Sequence, residues 1–314
     1  YYLKIIYYFI YINFFLILPT QLFDKKYFDN DHKKLKFIIW EHPNYFTKYK
    51  FNKKKLILHR ASMKFYFDYL KKNKFDVKYY EYNEKPKELK KNKYFIFDPI
   101  DKLKLPGKKE ILESPNFLLT TEFFENYRKK TQTFFFNSFY MKSKQHLDII
   151  PKIKSRDKFN RDKMPKNTSI PKLPSNKSDK KYIDKAIKYV EKNFPNNYGN
   201  TKNFSFPISF KTANKWLNNF IKKKFKNFGP YQDAIVKNEN YLFHSCLSSS
   251  INIGLINPSE IIKKISKIKS KININSYEGY IRQLFWREYQ RYTYIYADFN
   301  MNYFGNKKKL TKKW

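Results

Sequence analysis

The sequence predicts an open α/β domain followed by an all-helical one. Three features carry this prediction. Short apolar strings at Phe14–Leu18, Lys36–Trp40, Asp76–Tyr82 and Tyr94–Asp98 surround a helical pattern and are joined by short links. That order gives a parallel sheet with right-handed crossovers. Lys, Pro, Ser and Asn crowd residues 150–180, a linker composition. Beyond about residue 180, apolar positions recur at three- and four-residue spacing, as on helices. The N-terminal half is therefore read as an open parallel, Rossmann-like sheet within residues 14–115.

Each element has its own signal. Residues 1–18 are nearly all apolar. A buried first strand at Phe14–Leu18, ended by Pro19 and preceded by an apolar extension over 1–13, fits them best. A membrane span normally needs about 20 apolar residues, and a secretory signal needs a basic start and a small-residue cleavage site. Across Lys53–Lys74, Leu56, Met63, Phe67 and Leu70 share one helical face. Two helices are expected near 120–130 and 133–148. The α/β domain is set at 14–132, a helix and linker at 133–180, and a helical domain at 181–314. In that last part, Tyr182, Ile183, Ala186, Ile187 and Val190 form one stripe, and Ala213, Trp216, Leu217 and Phe220 another. Asn257-Pro258-Ser259-Glu260 reads as a helix start, with Gly254 ending the element before it. Asn275 and Glu278 are spaced as a capping box for the last helix.

Composition excludes several functions. The 314 residues suffice for a large core. Cys246 is the only cysteine, so this chain alone forms no intrachain disulfide and no cysteine-held iron–sulfur or zinc cage. No G-x-G-x-x-G or Walker-type loop occurs. Paired carboxylates, zinc-ligand spacings and a Ser–His–Asp set do not stand out, so no metal site and no catalytic residue is assigned.

The net charge is +39. Of 66 basic residues, 59 are Lys and seven Arg, in a chain also rich in Asn, Ile, Phe and Tyr. A/T-rich codons produce that composition, so codon bias and a selected polyanion surface both account for it. Either way, salt-dependent attraction to nucleic acid follows, and DNA is the expected partner. Against this background, Lys-free stretches are informative. Residues 238–262 and 272–306 contain none, and the second holds Arg282, Arg287 and Arg291. A flat, forked guanidinium is retained there and ammonium is not.

Five strings occur in order: L-P-T-Q-L-F at Leu18–Phe23, F-N-K-K-K-L-I-L-H-R-A-S-M-K at Phe51–Lys64, F-G-P-Y-Q-D-A at Phe228–Ala234, L-F-H-S-C-L-S-S-S-I-N-I-G-L-I-N-P at Leu242–Pro258, and E-G-Y-I-R-Q-L-F-W-R-E-Y at Glu278–Tyr289. Together they resemble the photolyase–cryptochrome superfamily, and more narrowly its iron–sulfur, photolyase-related branch. The resemblance runs from about residue 14 to the end. It implies an antenna-type α/β domain and a helical domain holding FAD, whose light-excited reduced form donates an electron to a flipped pyrimidine lesion in DNA. An antenna chromophore on the α/β domain is a further implication.

The departures also carry implications. The family's helical domain continues past the W-R-E helix, supplying the rest of the flavin pocket and the cluster cysteines. The chain is therefore expected to be a C-terminally truncated form, incomplete or inactive in repair by itself, with a second polypeptide able to complete it. Asn52 stands where the family often has His, and Ser249 and Ser250 where photolyases have Pro and an aromatic residue.

By resemblance, the FAD-contacting set is Tyr231, His244, Ser245, Leu247, Ser248, Gln283 and Arg287. Hydroxyls and amides suit phosphate oxygens, although serines alone are more often caps or turns. Gln283, Trp286, Arg287 and Gln290 share a helical face by spacing and are assigned toward the lesion; an amide, an indole and a guanidinium can together stack and bond a flat heterocycle. Alternatively, Arg287 and Glu288 form ion pairs between helices. Cys246 reads as a small buried hydrophobe and His59 as a structural histidine. Gln21 follows the first strand, where open α/β sheets place ligands. Two other functions stay open: a basic nucleic-acid-binding protein without flavin, and a cryptochrome-like light sensor. A soluble intracellular protein without a membrane partner is expected.

Overall fold

The computed structural model describes residues 12–297. The apolar extension before Ile12 and the last 17 residues of the chain lie outside this range.

Five parallel strands form one sheet: β1 (Ile12–Ile17), β2 (Lys36–Trp40), β3 (Val77–Tyr80), β4 (Lys93–Phe97) and β5 (Lys109–Leu112), in the order β3-β2-β1-β4-β5. Phe15 lies opposite Phe37 on one side and Phe95 on the other. The three central strands are almost wholly buried. They therefore read as continuous apolar runs rather than alternating ones. β5 went unmarked in the sequence because it is a half-exposed edge strand, with Ile111 54% exposed. The strand order reverses between β1 and β4, a topological switch point where ligands bind at the strands' carboxyl ends.

Helix α1 (Lys53–Lys72) crosses between β2 and β3 and buries Leu56, Met63, Tyr66 and Leu70. Asn52 caps it, accepting from the Lys54 N–H at 2.8 Å. Then follow α2 (Thr121–Lys130), α3 (Phe136–His146), α4 (Lys180–Asn193) and α5 (Phe210–Asn219). α5 runs through a π turn, Phe220–Lys224, into Phe225–Phe228. The last three are α6 (Ser248–Asn252), α7 (Pro258–Ser266) and α8 (Ile274–Tyr296). α4 packs along α1, and α3 on α8. One core runs from the sheet through α1 and α4 to Trp216, Phe285 and Ile281, so both halves contribute to it, and a second, smaller cluster joins Leu119, Phe124, Tyr127, Phe139 and Tyr292.

Two expectations need correction. Residues 229–247 carry no helix, although everything after 180 reads helical. Gly229 and Pro230 break the α5 continuation, and a Cβ at Gly229 would stand 2.4 Å from the Asn275 carbonyl carbon and the Ser276 nitrogen. The α8 cap is Asn273, which accepts from the Ser276 N–H at 2.7 Å. Asn275 instead accepts from Arg156 Nε at 3.0 Å, and Glu278 is a buried acceptor for Tyr140 and the Arg156 N–H. Within residues 150–180, the Pro174 carbonyl accepts from Trp216 Nε1 at 3.0 Å, and the Ile150 and Ile153 carbonyls accept from the buried Lys144. The helix start at Asn257 is as expected, with its side chain accepting from the Glu260 N–H at 2.9 Å.

Two segments distant in sequence meet at Gly254. Leu22 donates its N–H to the Ile253 carbonyl at 3.0 Å. Gly254 has φ +90°, and a Cβ there would lie 2.7 Å from the Phe23 ring. Only glycine allows the segment after β1 to lie this close to the end of α6.

Candidate ligand sites on the face of α8

Two cavities flank one face of α8 at different heights. Tyr280 and Gln283 line the first, of about 430 Å³. One turn further on, Arg287, Gln290, Arg291 and Tyr294 line the second, of about 480 Å³. α6 passes between them, giving Ser248 to the first cavity and Ser249 and Asn252 to the second.

The rest of the first cavity's wall comes from the loop 228–248: Phe228, Gln232, Asp233 and the run His244–Ser248. Cys246 takes φ +55°, which turns the run back on itself. Burial pushes the Cys246 thiol pKa up. Burial raises the Tyr280 phenol pKa. Behind this wall stands Lys224, at the end of the π turn. It lies one helical turn before Phe228 and thus on the same side of the helix. Lys224 is 1% exposed, and its ammonium has no hydrogen-bond partner. Burial lowers its pKa, while Cys246 and Glu239 oppose that shift. Burial and the Lys224 charge together lower the His244 pKa. A buried cation without an acceptor is costly unless an anion joins it.

The second cavity sits at the sheet's switch point. Thr20 follows β1, Asp98 and Asp101 follow β4, and Lys55 and His59 come from α1. Four buried polar atoms of its lining have no partner: His59 Nδ1, Asn116 Oδ1, Ser249 Oγ and Arg291 Nε. Burial holds the His59 pKa down at about 3. Gln21 is not in this wall. Its amide is spent on the fold, donating to the Phe97 carbonyl at 2.6 Å and accepting from the Leu18 N–H at 3.2 Å.

The site residues assigned from sequence separate into groups. His244, Ser245, Leu247, Ser248 and Gln283 line the first cavity together. Tyr231 is outside that lining, its ring 5.7 Å from Phe243. Arg287 belongs to the second cavity: it donates to Asn252 Oδ1 at 3.3 Å and to the Asn116 carbonyl, and lies over Phe117 at 4.1 Å. Burial lowers its pKa to about 10. Gln290 lines the second cavity as well, while Trp286 stacks on Phe136 at 3.6 Å and 8°. Gln283, Trp286, Arg287 and Gln290 are thus not one surface. Three residues turn a helix by about 300°, which swings Trp286 aside, and four residues advance about 6 Å to the next cavity.

Glu288 pairs with no arginine. It is buried and accepts from the Leu118 and Leu119 N–H groups at 3.1 and 3.2 Å. Burial pushes its pKa up to about 7, against the pull of those two N–H groups and of Arg287 and Arg291. The folded state therefore keeps this proton at pH values where the unfolded chain has lost it. The stabilisation is full below the ordinary glutamate pKa and is lost as pH rises through about 7. Between pH 5 and 8, wild type should lose urea stability relative to Glu288→Gln; parallel profiles would contradict this.

Sequence reasoning missed Lys224, because one lysine in a run of three carries no signal by itself. The readable clue is phase: Lys224 lies on the apolar side with Phe220 and Phe228.

An α/β layer joined to a helical block, with cavities at the strand ends and along α8, is an architecture of photolyase type. The chain belongs to the deoxyribodipyrimidine photo-lyase-related protein family, whose profile matches residues 15–94 and 97–206. That match covers the sheet and α1 to α4; the serine run lies beyond it. A (6-4) photolyase of Agrobacterium fabrum is 36% identical over 146 residues, covering 45% of this chain and 29% of that protein. Uncharacterized protein R853 of Acanthamoeba polyphaga mimivirus is 46% identical over 89 residues, or 27% of this chain and 69% of the viral protein. Uncharacterized protein R852 of the same virus is 31% identical over 192 residues, or 50% of this chain and 98% of the viral protein. The chain thus aligns with less than a third of the photolyase. Among the described residues, no helix is long and apolar enough to cross a membrane.

Proposed function

We propose that this chain is a flavin-holding part of a photolyase-related protein, with the first cavity taking the diphosphate end of FAD. The observation that carries the reading is the acceptor-less ammonium of Lys224 behind the Ser245–Ser248 wall. The donor set fits a diphosphate: serine hydroxyls and a glutamine amide line the cavity, the buried Lys224 cation lies behind them, and the Asp233 carboxylate in the lining is paired with Arg161. The cavity lies at the small end of the roughly 300–1,000 Å³ typical of ligand pockets, enough for part of FAD. Bound reduced flavin would supply light-driven electron donation to a pyrimidine lesion. The residues here bind and orient; Ser245 and Ser248 offer hydroxyl donors, and the apolar walls of Phe228 and Tyr280 exclude water.

The second cavity is assigned to an antenna chromophore with polar substituents, because its four orphaned polar atoms require a partner that hydrogen-bonds. DNA is proposed as the partner of the assembled protein. The reading as a flavin-free basic binder rests on the +39 charge alone.

The test is FAD titration followed by flavin fluorescence. Ser245→Ala and Gln283→Ala should each weaken FAD by about tenfold, the size of one lost hydrogen bond to a charged group. Arg287→Ala, in the other cavity, should leave affinity within about twofold. Equal losses from all three, or no FAD binding by wild type, would overturn the assignment.

A further inference from the structure

The outer side of α5 carries a charge pattern that the two cavities do not use. Through the π turn its exposed stripe reads Lys211, Lys215, Asn218, Lys222 and Lys226. By helical phase this stripe lies opposite Lys224 and Phe228, away from the first cavity. A second exposed strip runs beside it: Lys263 from α7, Lys267 just past its end, then Lys269 and Lys271. Two hydrogen bonds fix the strips side by side. Lys264 Nζ donates to Asn214 Oδ1 at 2.8 Å, and Asn273 Nδ2 to the Lys226 carbonyl at 2.6 Å.

Acidic residues are nearly missing from this region. Between Lys192 and Ser276 the sequence holds only Asp233, Glu239 and Glu260. Glu260 is engaged by Lys26, from the sheet half. Elsewhere lysines face carboxylates: Lys34 with Asp31, Lys36 with Asp76, Lys78 with Glu88, Lys93 with Glu110 and Lys180 with Asp184. Codon bias would spread lysine without regard to acids. It does not account for one face on which, beyond Lys211 beside Asp68 and Asp179 at its start, the positive charge is left uncompensated.

We infer that the α5–α7 lysine face is a track for a nucleic-acid phosphodiester backbone, separate from the cavity face. From Lys211 to Lys226 the helix rises about 22 Å. At about 3.4 Å per phosphate along one strand, that spans six or seven nucleotides. Ammonium groups on flexible stems suit such a sequence-blind contact. The inference does not rest on flavin binding.

The test compares two variants of the full chain with equal charge loss. One replaces Lys211, Lys215, Lys222 and Lys226 by Gln. The other replaces Lys181, Lys185, Lys188 and Lys192, exposed on α4 where Asp184 and Glu191 interleave. Binding to a fluorescent 20-base-pair DNA, and to a single strand of equal length, is measured by anisotropy from 50 to 200 mM salt. The α5 variant should lose at least tenfold in affinity at 100 mM salt, and its salt slope should fall by about 3. The α4 variant should change less than threefold. Equal losses would reduce the effect to net charge and overturn the proposal, as would no loss from the α5 variant. A variant with Arg at the four α5 positions should restore binding; if the Gln variant fails to fold, failure of this Arg variant to bind at wild-type level overturns the proposal. The duplex and single-strand arms identify which form the track takes.

Discussion

Glu41→Ala is expected to destabilise the fold by roughly 3–5 kcal/mol, the cost of removing one partner from a buried charged network. Glu41 follows β2 and is fully buried. Its carboxylate accepts from Arg60 Nη1 at 2.8 Å, the Tyr79 hydroxyl at 2.5 Å, the Tyr189 hydroxyl at 3.0 Å and the Tyr82 N–H at 3.2 Å. Arg60 also lies over the Tyr189 ring at 3.7 Å and reaches Glu81 at 2.7 Å. One carboxylate thus joins the sheet, α1 and α4. Its loss would leave one arm of the Arg60 guanidinium and two hydroxyls without their acceptor, Glu81 holding only the other arm. Urea unfolding measures the effect; a change below about 1 kcal/mol would show that the network relaxes without it.

Arg291→Lys is expected to cost nearly as much as Arg291→Ala, on the order of 3 kcal/mol. The guanidinium is buried and forks, with Nη1 donating to the Leu119 carbonyl at 2.9 Å and Nη2 to Asp98 Oδ2 at 2.8 Å. Its flat face lies 4.7 Å from the Phe117 ring. An ammonium keeps the charge but cannot hold two divergent acceptors and stack at once. Because Asp98 follows β4 and lines the second cavity, this arginine also fixes α8 against the strand ends. Thermal melts of the two variants decide the point: a lysine variant as stable as wild type would contradict it.

The Lys-free window over 272–306 was the best local signal of that packing. Where the chain is lysine almost everywhere, three retained arginines mark geometry that ammonium cannot supply. Arg282 and Arg291 are buried, and Arg287 is half-buried. The central strands were equally legible, because burial on both faces makes an unbroken apolar string such as Lys36–Trp40. The edge strand at 109–112 was not, since half-exposure leaves it without a pattern. Spacing placed Gln283, Trp286, Arg287 and Gln290 on one face, but it could not show α6 crossing that face and dividing it. That depends on the contact between Gly254 and Phe23, more than 200 residues apart in sequence.

We propose that the Lys224 ammonium receives the phosphates of a flavin dinucleotide, and differential flavin binding separates that contact from contacts to the ring. Wild type and Lys224→Met are each titrated with FAD and with riboflavin, which has the same ring system without phosphate. Wild type should bind FAD at least tenfold more tightly than riboflavin, and Lys224→Met should remove most of that difference while leaving riboflavin affinity unchanged. Equal preference for FAD in the two proteins, with both folded by circular dichroism, would contradict the account.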